Sequence, residues 1–461
     1  MGDWAYAVGL EKREGSEDSQ TLLCGNARPP CDAPEVQFPT PTAEAHMFSI
    51  LIRLIGGTAL LLQLGGAVAA ETIKIAFMTA LSGTFAFQGE EQLKVFNAAA
   101  DAINAQGGVL GGRKLEIVPF DNKANPQESL VILKQVTDQD IRYVASTVSS
   151  VAHALSDAVA KYNARNPDRP ILFLDFNALD PALTESKCSF WHFRFEAHTD
   201  MQMNALTDSM AKDRTISKVY LINQDYAYGQ SVTKASRDML AAKRPDIQIV
   251  GDDLIPLGKV KDFSPYVAKI RASGADSVLT GNWGNDLSLL IKASNEAGLK
   301  AMYYTLLAAF FGTPAAIGPA GADRVKSIYS WHINAADEMW EKKLVQYEAR
   351  YKSVSDMAYL PPFRVLGMLT EAMNKTGTTD PVKVAYALEG MRYMGPTGES
   401  WMRAEDHQML VPVYVMSFAK AGQPGVKHDA EGTGYGWRTD ALIEAKSNVP
   451  PMKCQMQRPT M

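Results

Sequence analysis

The chain has 461 residues, a formal net charge of −5 and 46% hydrophobic residues, which is long and apolar enough for two domains with sizeable cores. The charge is mixed in sign, and no basic patch interleaved with aromatics occurs, which argues against a nucleic-acid partner.

Residues 1–46 carry Pro29, Pro30, Pro34, Pro39 and Pro41, many small polar residues and no sustained period. Met47 to Arg53 then leads into an apolar run from Leu54 to Leu64 and the small residues Gly65 to Ala70. A charged start, an apolar core and a small-residue cleavage site describe a secretory signal peptide, cut after Ala70 or Ala69. The apolar core is too short for a membrane anchor. Residues 47–70 are therefore read as the signal. Residues 1–46 are read as a non-native extension from an over-extended reading frame. No Cys at the cleavage site points to a lipid anchor. Cys24 and Cys31 fall in the discarded segment, and Cys188 and Cys454 remain. In an oxidising compartment they are expected to form a disulfide tying the C-terminal tail to the segment near Trp191, the alternative being two separate thiols. Their spacing does not suggest zinc.

Strand Thr72–Met78 opens the mature chain, and Leu93, Phe96, Ala100 and Ile103 mark the first helix. Gly107 to Gly112 form turns before strand Lys114–Phe120. A helix from Pro126 to Thr137, strand Tyr143–Ala145, a helix from Val151 to Ala164 and strand Ile171–Leu174 follow. Alternating strands and helices indicate a parallel sheet covered on both faces. A second such run begins after Trp191–Phe195. It comprises helix 200–213, strand Lys218–Ile222, helix 230–243, strand Ile247–Asp252, helix 263–273, strand Asp276–Thr280, helix 285–297 and strand Met302–Thr305. The chain then passes through Ser327–Trp331 into helices near 338–352, 361–376 and 381–389, a strand at Val411–Phe418 and an irregular tail. The fold class is α/β, with two doubly wound lobes and a cleft between them. Loops after the parallel strands, near 79–89, 146–150, 223–229 and 281–285, are the cleft candidates, because ligands bind beyond the carboxyl ends of such strands.

Within these loops, Ser146-Thr147-Val148-Ser149-Ser150 turns a strand directly into a helix. The first N–H groups of a helix lack helical partners and lie at its positive end. Hydroxyls beside them suit a carboxylate; the plainer alternative is that Ser149 or Ser150 is only an N-cap. Catalytic chemistry is not legible: no G-x-S-x-G elbow, P-loop, dinucleotide fingerprint or cofactor motif is present. His192 and His198 lack an obvious third metal ligand and are read as surface or packing residues. His153 faces either the cleft or solvent.

The segments IAFMTALSGTFAFQG (Ile75–Gly89), NAQGGVLGG (Asn104–Gly112), Phe120-Asp121-Asn122, NQDYAYG (Asn223–Gly229) and MGPTG (Met394–Gly398) resemble the type I periplasmic binding proteins of ABC importers, in the leucine/isoleucine/valine-binding branch. The resemblance runs from Glu71 to about Phe418. It implies two lobes joined by a three-strand hinge, residues 71–195 with 331–410 forming one and 196–330 with 411–461 the other. It also implies a periplasmic monomer that closes on a small-molecule ligand and presents it to membrane permease subunits, with no enzymatic activity. The family's carboxylate-binding turn falls on Thr147, Val148, Ser149 and Ser150, and its next loop on Asn177, Ala178 and Leu179. The aromatic wall falls on Tyr226, Tyr228 and Trp283, and Phe87 matches an aromatic of the first loop.

One departure is informative. Amino-acid binders of this branch carry an acidic residue after the strand equivalent to Met302–Thr305, to meet the ligand's ammonium. Here the segment reads Leu306-Leu307-Ala308-Ala309-Phe310-Phe311. A buried ammonium without a partner costs several kcal/mol, so the expected ligand is an aromatic carboxylate of the benzoate, hydroxybenzoate or phenylpropenoate type, with Leu307 and Phe310 against its ring. A carboxylate at Asp225 or Asp286 would instead permit a branched-chain amino acid, and a small amide is a further option. A ligand-sensing regulator of the same fold is the alternative from another class, and the signal peptide speaks against it.

Overall fold

The computed structural model describes residues 71–353 and 360–460; the expected extension and signal peptide lie outside the described residues. The first lobe contains β1 (Ile73–Thr79), α1 (Ala86–Ala105), β2 (Leu115–Asp121), α2 (Pro126–Asp138), β3 (Tyr143–Ser146), α3 (Ser149–Arg165), β4 (Leu172–Asp175) and β5 (His192–Arg194). Every residue of β3 and β4 is buried, as expected of strands covered on both faces. Helix α2 starts where Asn125 accepts from the N–H groups of Gln127 and Glu128, with Pro126 in the first turn. The five strands form a parallel sheet in the order β2-β1-β3-β4-β5.

The second lobe repeats this with α4 (Thr199–Lys212), β6 (Lys218–Gln224), α5 (Ala227–Lys243), β7 (Gln248–Ile255), α6 (Ser264–Ala272), β8 (Ser277–Thr280), α7 (Gly284–Glu296), β9 (Met302–Thr305), the short α8 (Thr313–Ile317) and β10 (Val325–Tyr329). The chain then builds α9 (Glu338–Tyr351), α10 (Leu360–Thr376), α11 (Pro381–Leu388) and a small antiparallel sheet of β11 (Arg392–Gly395), β12 (Gly398–Met402) and β13 (Met409–Leu410). Finally β14 (Val413–Lys420) and β15 (Tyr435–Ile443) join the second sheet antiparallel, giving β15-β14-β10-β9-β8-β6-β7. The tail read as irregular therefore contains a nine-residue strand.

From its outer strand inward, each sheet has one order, β2-β1-β3-β4-β5 in the first and β7-β6-β8-β9-β10 in the second. The strand order reverses between β1 and β3, and again between β6 and β8. Ligands bind at such reversal points, so topology alone aims four loops at one place.

The chain crosses between the sheets at 195–198, 330–337 and 411–412. Buried hydrogen bonds tie the first crossing to the second and to the elements beside it. Ser330 Oγ donates to Glu196 Oε2 (2.7 Å), Gln408 Nε2 to the Glu196 carbonyl (2.8 Å), and Arg364 Nη1 to the Phe195 carbonyl (2.8 Å). The tail makes a further connection. Asn448 Nδ2 donates to the Met201 carbonyl of α4 (2.9 Å). Beyond it, Lys453 pairs with Glu185 (2.9 Å), Cys454 is bonded to Cys188 (Sγ–Sγ 2.02 Å), and Tyr386 Oη donates to the Pro459 carbonyl (2.6 Å). The end of the tail thus lies on the first lobe, whereas the sequence reading places all of 411–461 with the second.

Candidate functional site

In both lobes a glycine brings the site together. A Cβ on Gly89 of α1 would lie 1.9 Å from the Ala80 carbonyl oxygen, and one on Gly229 of α5 would lie 1.8 Å from that of Gln224. Only glycine permits this approach. It presses the first turn of each helix against the end of the preceding strand. In the first lobe this turns Gln88 and Gln92 toward the cleft, and in the second Tyr226 and Tyr228.

Helix α3 begins at Ser149 with Val148 as its N-cap, at φ 68° and without a side-chain cap. The N-cap alternative for Ser149 and Ser150 is therefore incorrect. A β-branched residue at positive φ is strained, and such strain collects at ligand sites. The Ser149 oxygen accepts from the N–H groups of Leu179 and Asp180, both at 3.1 Å, which leaves its proton free to be donated. The first-turn N–H groups of α3 have no intrahelical acceptor. Behind this turn, burial would raise the pKa of Asp180, but hydrogen bonds from His153 (2.5 Å) and the Ala182 N–H outweigh it and hold the carboxyl below its usual range. That answers the question left open for His153: it faces Asp180, away from the cleft.

In the second lobe Trp283 Nε1 donates to Tyr226 Oη at 2.8 Å, and the Tyr226 and Tyr228 rings lie 5.8 Å apart. Burial pushes both phenol pKa values up, so both stay neutral. Phe310 packs edge-on to Phe311 at 5.8 Å and to Tyr329 at 4.9 Å. The lobes meet where Phe85 stacks on Trp283, ring centroids 4.4 Å apart.

Between them lies a pocket with about 680 Å³ of atom-free space, its open mouth included. Of the residues that the sequence reading assigns to the site, Thr147, Val148, Ser149, Asn177, Leu179, Tyr226, Tyr228, Trp283, Leu307 and Phe310 line it. Three anticipated residues do not. Ser150 faces a separate groove shared with His153, on the other side of α3. Ala178 is buried in the core of the first lobe, its N–H donating to Asp175. Phe87 is 43% exposed and meets Phe311 edge-on at 6.2 Å, across the rim of the cleft. Sequence reasoning missed Phe85, Gln88, Gln92, Asn122 and Phe311. One signal was available: Gln88 and Gln92 sit one helical turn apart, on a helix that otherwise turns mostly apolar residues and Glu91 inward.

Among the described residues lining the pocket none is Asp, Glu, Lys, Arg or His. Asp286 is engaged by Gln224 Nε2 (2.7 Å) and the Gly258 N–H (2.8 Å), and Asp225 is exposed and accepts from Gln230 (2.9 Å). Neither lines the pocket. His192 and His198 are both 1% exposed. The first pairs with Asp175 at 3.1 Å, and the second caps α4.

Residues 72–423 match the family model described as periplasmic binding protein. The chain belongs to that family. Among similar periplasmic binding proteins, the Leu/Ile/Val-binding protein homolog 4 of Brucella abortus (strain 2308) is 34% identical over 416 residues, covering 86% of this chain and 96% of its own. The closed crystal structure of a leucine-, isoleucine-, valine-, threonine- and alanine-binding protein from Brucella ovis is 30% identical, with a TM-score of 0.75, covering 85% of this chain and 100% of its own. A solute binding protein of an ABC transporter from Rhodopseudomonas palustris BisB5, solved with 3,4-dihydroxybenzoic acid, shares the fold at 17% identity and a TM-score of 0.71, covering 81% of this chain and 98% of its own. As a periplasmic binding protein the chain captures a small-molecule solute. Among the described residues no helix is long and apolar enough to cross a membrane, and no group of three or more His, Cys, Asp or Glu is placed to hold a metal.

Proposed function

We propose that this periplasmic binding protein delivers an aromatic carboxylate, of the benzoate, hydroxybenzoate or phenylpropenoate type, to its importer. The observation that carries this reading is the chemistry of the pocket lining. One wall is the bare N-terminus of α3 with the Ser149 hydroxyl; the other is Tyr226, Tyr228, Trp283 and Phe310; and no lining residue is acidic. A carboxylate is favoured at the helix end. An ammonium would be buried without a counter-charge.

The second reading, a branched-chain amino acid, is favoured by the 34% identity to a protein named for Leu, Ile and Val.

Thermal shift and calorimetry on the mature chain, with benzoate, 4-hydroxybenzoate and cinnamate beside leucine and valine, separate the two. A ligand at a hundred times its Kd adds about 2.7 kcal/mol of stability, and that gain is expected for aromatic acids only. Stabilisation by leucine or valine with none from any aromatic acid would exclude the proposal.

A further inference from the structure

We infer that the ligand carries a neutral hydroxyl on its ring, on the second-lobe side of the pocket, and that Tyr228 is the residue that reads it. This rests on the aromatic-carboxylate reading and narrows it. Tyr228 and Gln88 both line the pocket and are 1% and 7% exposed, yet Tyr228 Oη and Gln88 Oε1 have no hydrogen-bond partner. Native structures pair nearly all such atoms, because an unpaired buried polar group is costly. The pocket therefore holds bonding capacity that the protein does not use.

The chemistry of these atoms restricts what can fill it. Gln88 Oε1 accepts, so a ligand group that can donate suits it. Tyr226 Oη already accepts from Trp283 Nε1 and has its own proton to give, so a group beside it is best met as an acceptor. The burial of both tyrosines keeps their hydroxyls protonated. A second carboxylate donates nothing to Gln88 and finds no cation in the lining, and an ammonium finds no carboxylate. A neutral hydroxyl donates and accepts through one atom. A ring with a carboxylate at one end and a hydroxyl toward the other would engage the α3 N-terminus and the tyrosine wall together.

The test is calorimetry on the mature chain with benzoate, 3- and 4-hydroxybenzoate and the two methoxybenzoates, on wild type and Tyr228→Phe. A methoxy group accepts but cannot donate. At least one hydroxybenzoate is expected to bind about tenfold or more tighter than benzoate and than its methoxy counterpart. Tyr228→Phe is expected to shrink that gap to about threefold or less, the loss falling chiefly on the hydroxybenzoate. Its melting temperature should not fall, since no protein group bonds the lost hydroxyl. Benzoate binding as tightly as every hydroxybenzoate would overturn the inference and leave the aromatic-carboxylate reading standing. So would an equal loss for all ligands in Tyr228→Phe. Binding of leucine with no binding of any aromatic acid would overturn both.

Discussion

Ser149 illustrates how one side chain can serve fold and ligand together. From sequence, its loss is expected to weaken carboxylate ligands with little effect on folding. The structure changes that expectation, because its oxygen also accepts from the Leu179 and Asp180 N–H groups. Ser149→Ala leaves both buried donors without an acceptor, at about 1–3 kcal/mol for such a group. The variant should therefore lose stability in urea melts as well as affinity in calorimetry, the latter by roughly tenfold or more. Unchanged stability would mean that these amides find another acceptor. The serine turn was legible because hydroxyls between an apolar strand and a helical period carry a clear chemical meaning. The positive φ of Val148 was not legible, since nothing in a valine announces a conformation that sterics disfavour. Gln88 was missed for a related reason: a glutamine in the first turn of a helix reads as solvated until the glycine after it is seen to press that turn into the cleft.

Among the elements, the strands of the two parallel sheets were the easiest to read. Buried on both faces, they appear as short continuous apolar runs between helices. β15 was not readable, because it starts in a glycine-rich turn and mixes Trp437 with Arg438, Thr439 and Asp440 at the edge of its sheet. The strands β11 to β13 are short and only partly apolar, and β11 and β12 form a hairpin across Pro396 and Thr397. The tail after β15 adds a connection that periodicity could not reveal. It passes α4 and is bonded to the first lobe through Cys188–Cys454, closing a loop of sequence separation 266. Cross-links over long loops stabilise chiefly by restricting the unfolded chain. The double variant Cys188→Ser/Cys454→Ser is expected to lose about 2–5 kcal/mol in denaturant melts. Wild type treated with dithiothreitol should match it. A variant as stable as untreated wild type would show that Lys453–Glu185 and Tyr386–Pro459 hold the tail unaided.

For the molecule as a whole, affinity is the product of contacts within the pocket and the population of the closed state. The apparent Kd is the intrinsic Kd divided by the closed fraction, so a contact made only between the lobes scales every ligand alike. Phe87 is such a contact. It does not line the pocket, but it reaches from the first lobe to Phe311 of the second at 6.2 Å. An aromatic pair of this geometry contributes about 0.5–1.5 kcal/mol beyond its area. Phe87→Ala should therefore weaken benzoate and an aliphatic acid such as hexanoate by the same factor, about two- to twelvefold. Trp283→Ala, which removes part of the pocket wall itself, should cost benzoate more than hexanoate. Calorimetry on both variants with both ligands gives the two ratios directly. If Phe87→Ala changes the preference between the acids, the residue touches ligand and the original sequence assignment of Phe87 is restored. If it changes neither Kd, the rim contact does not contribute to closure.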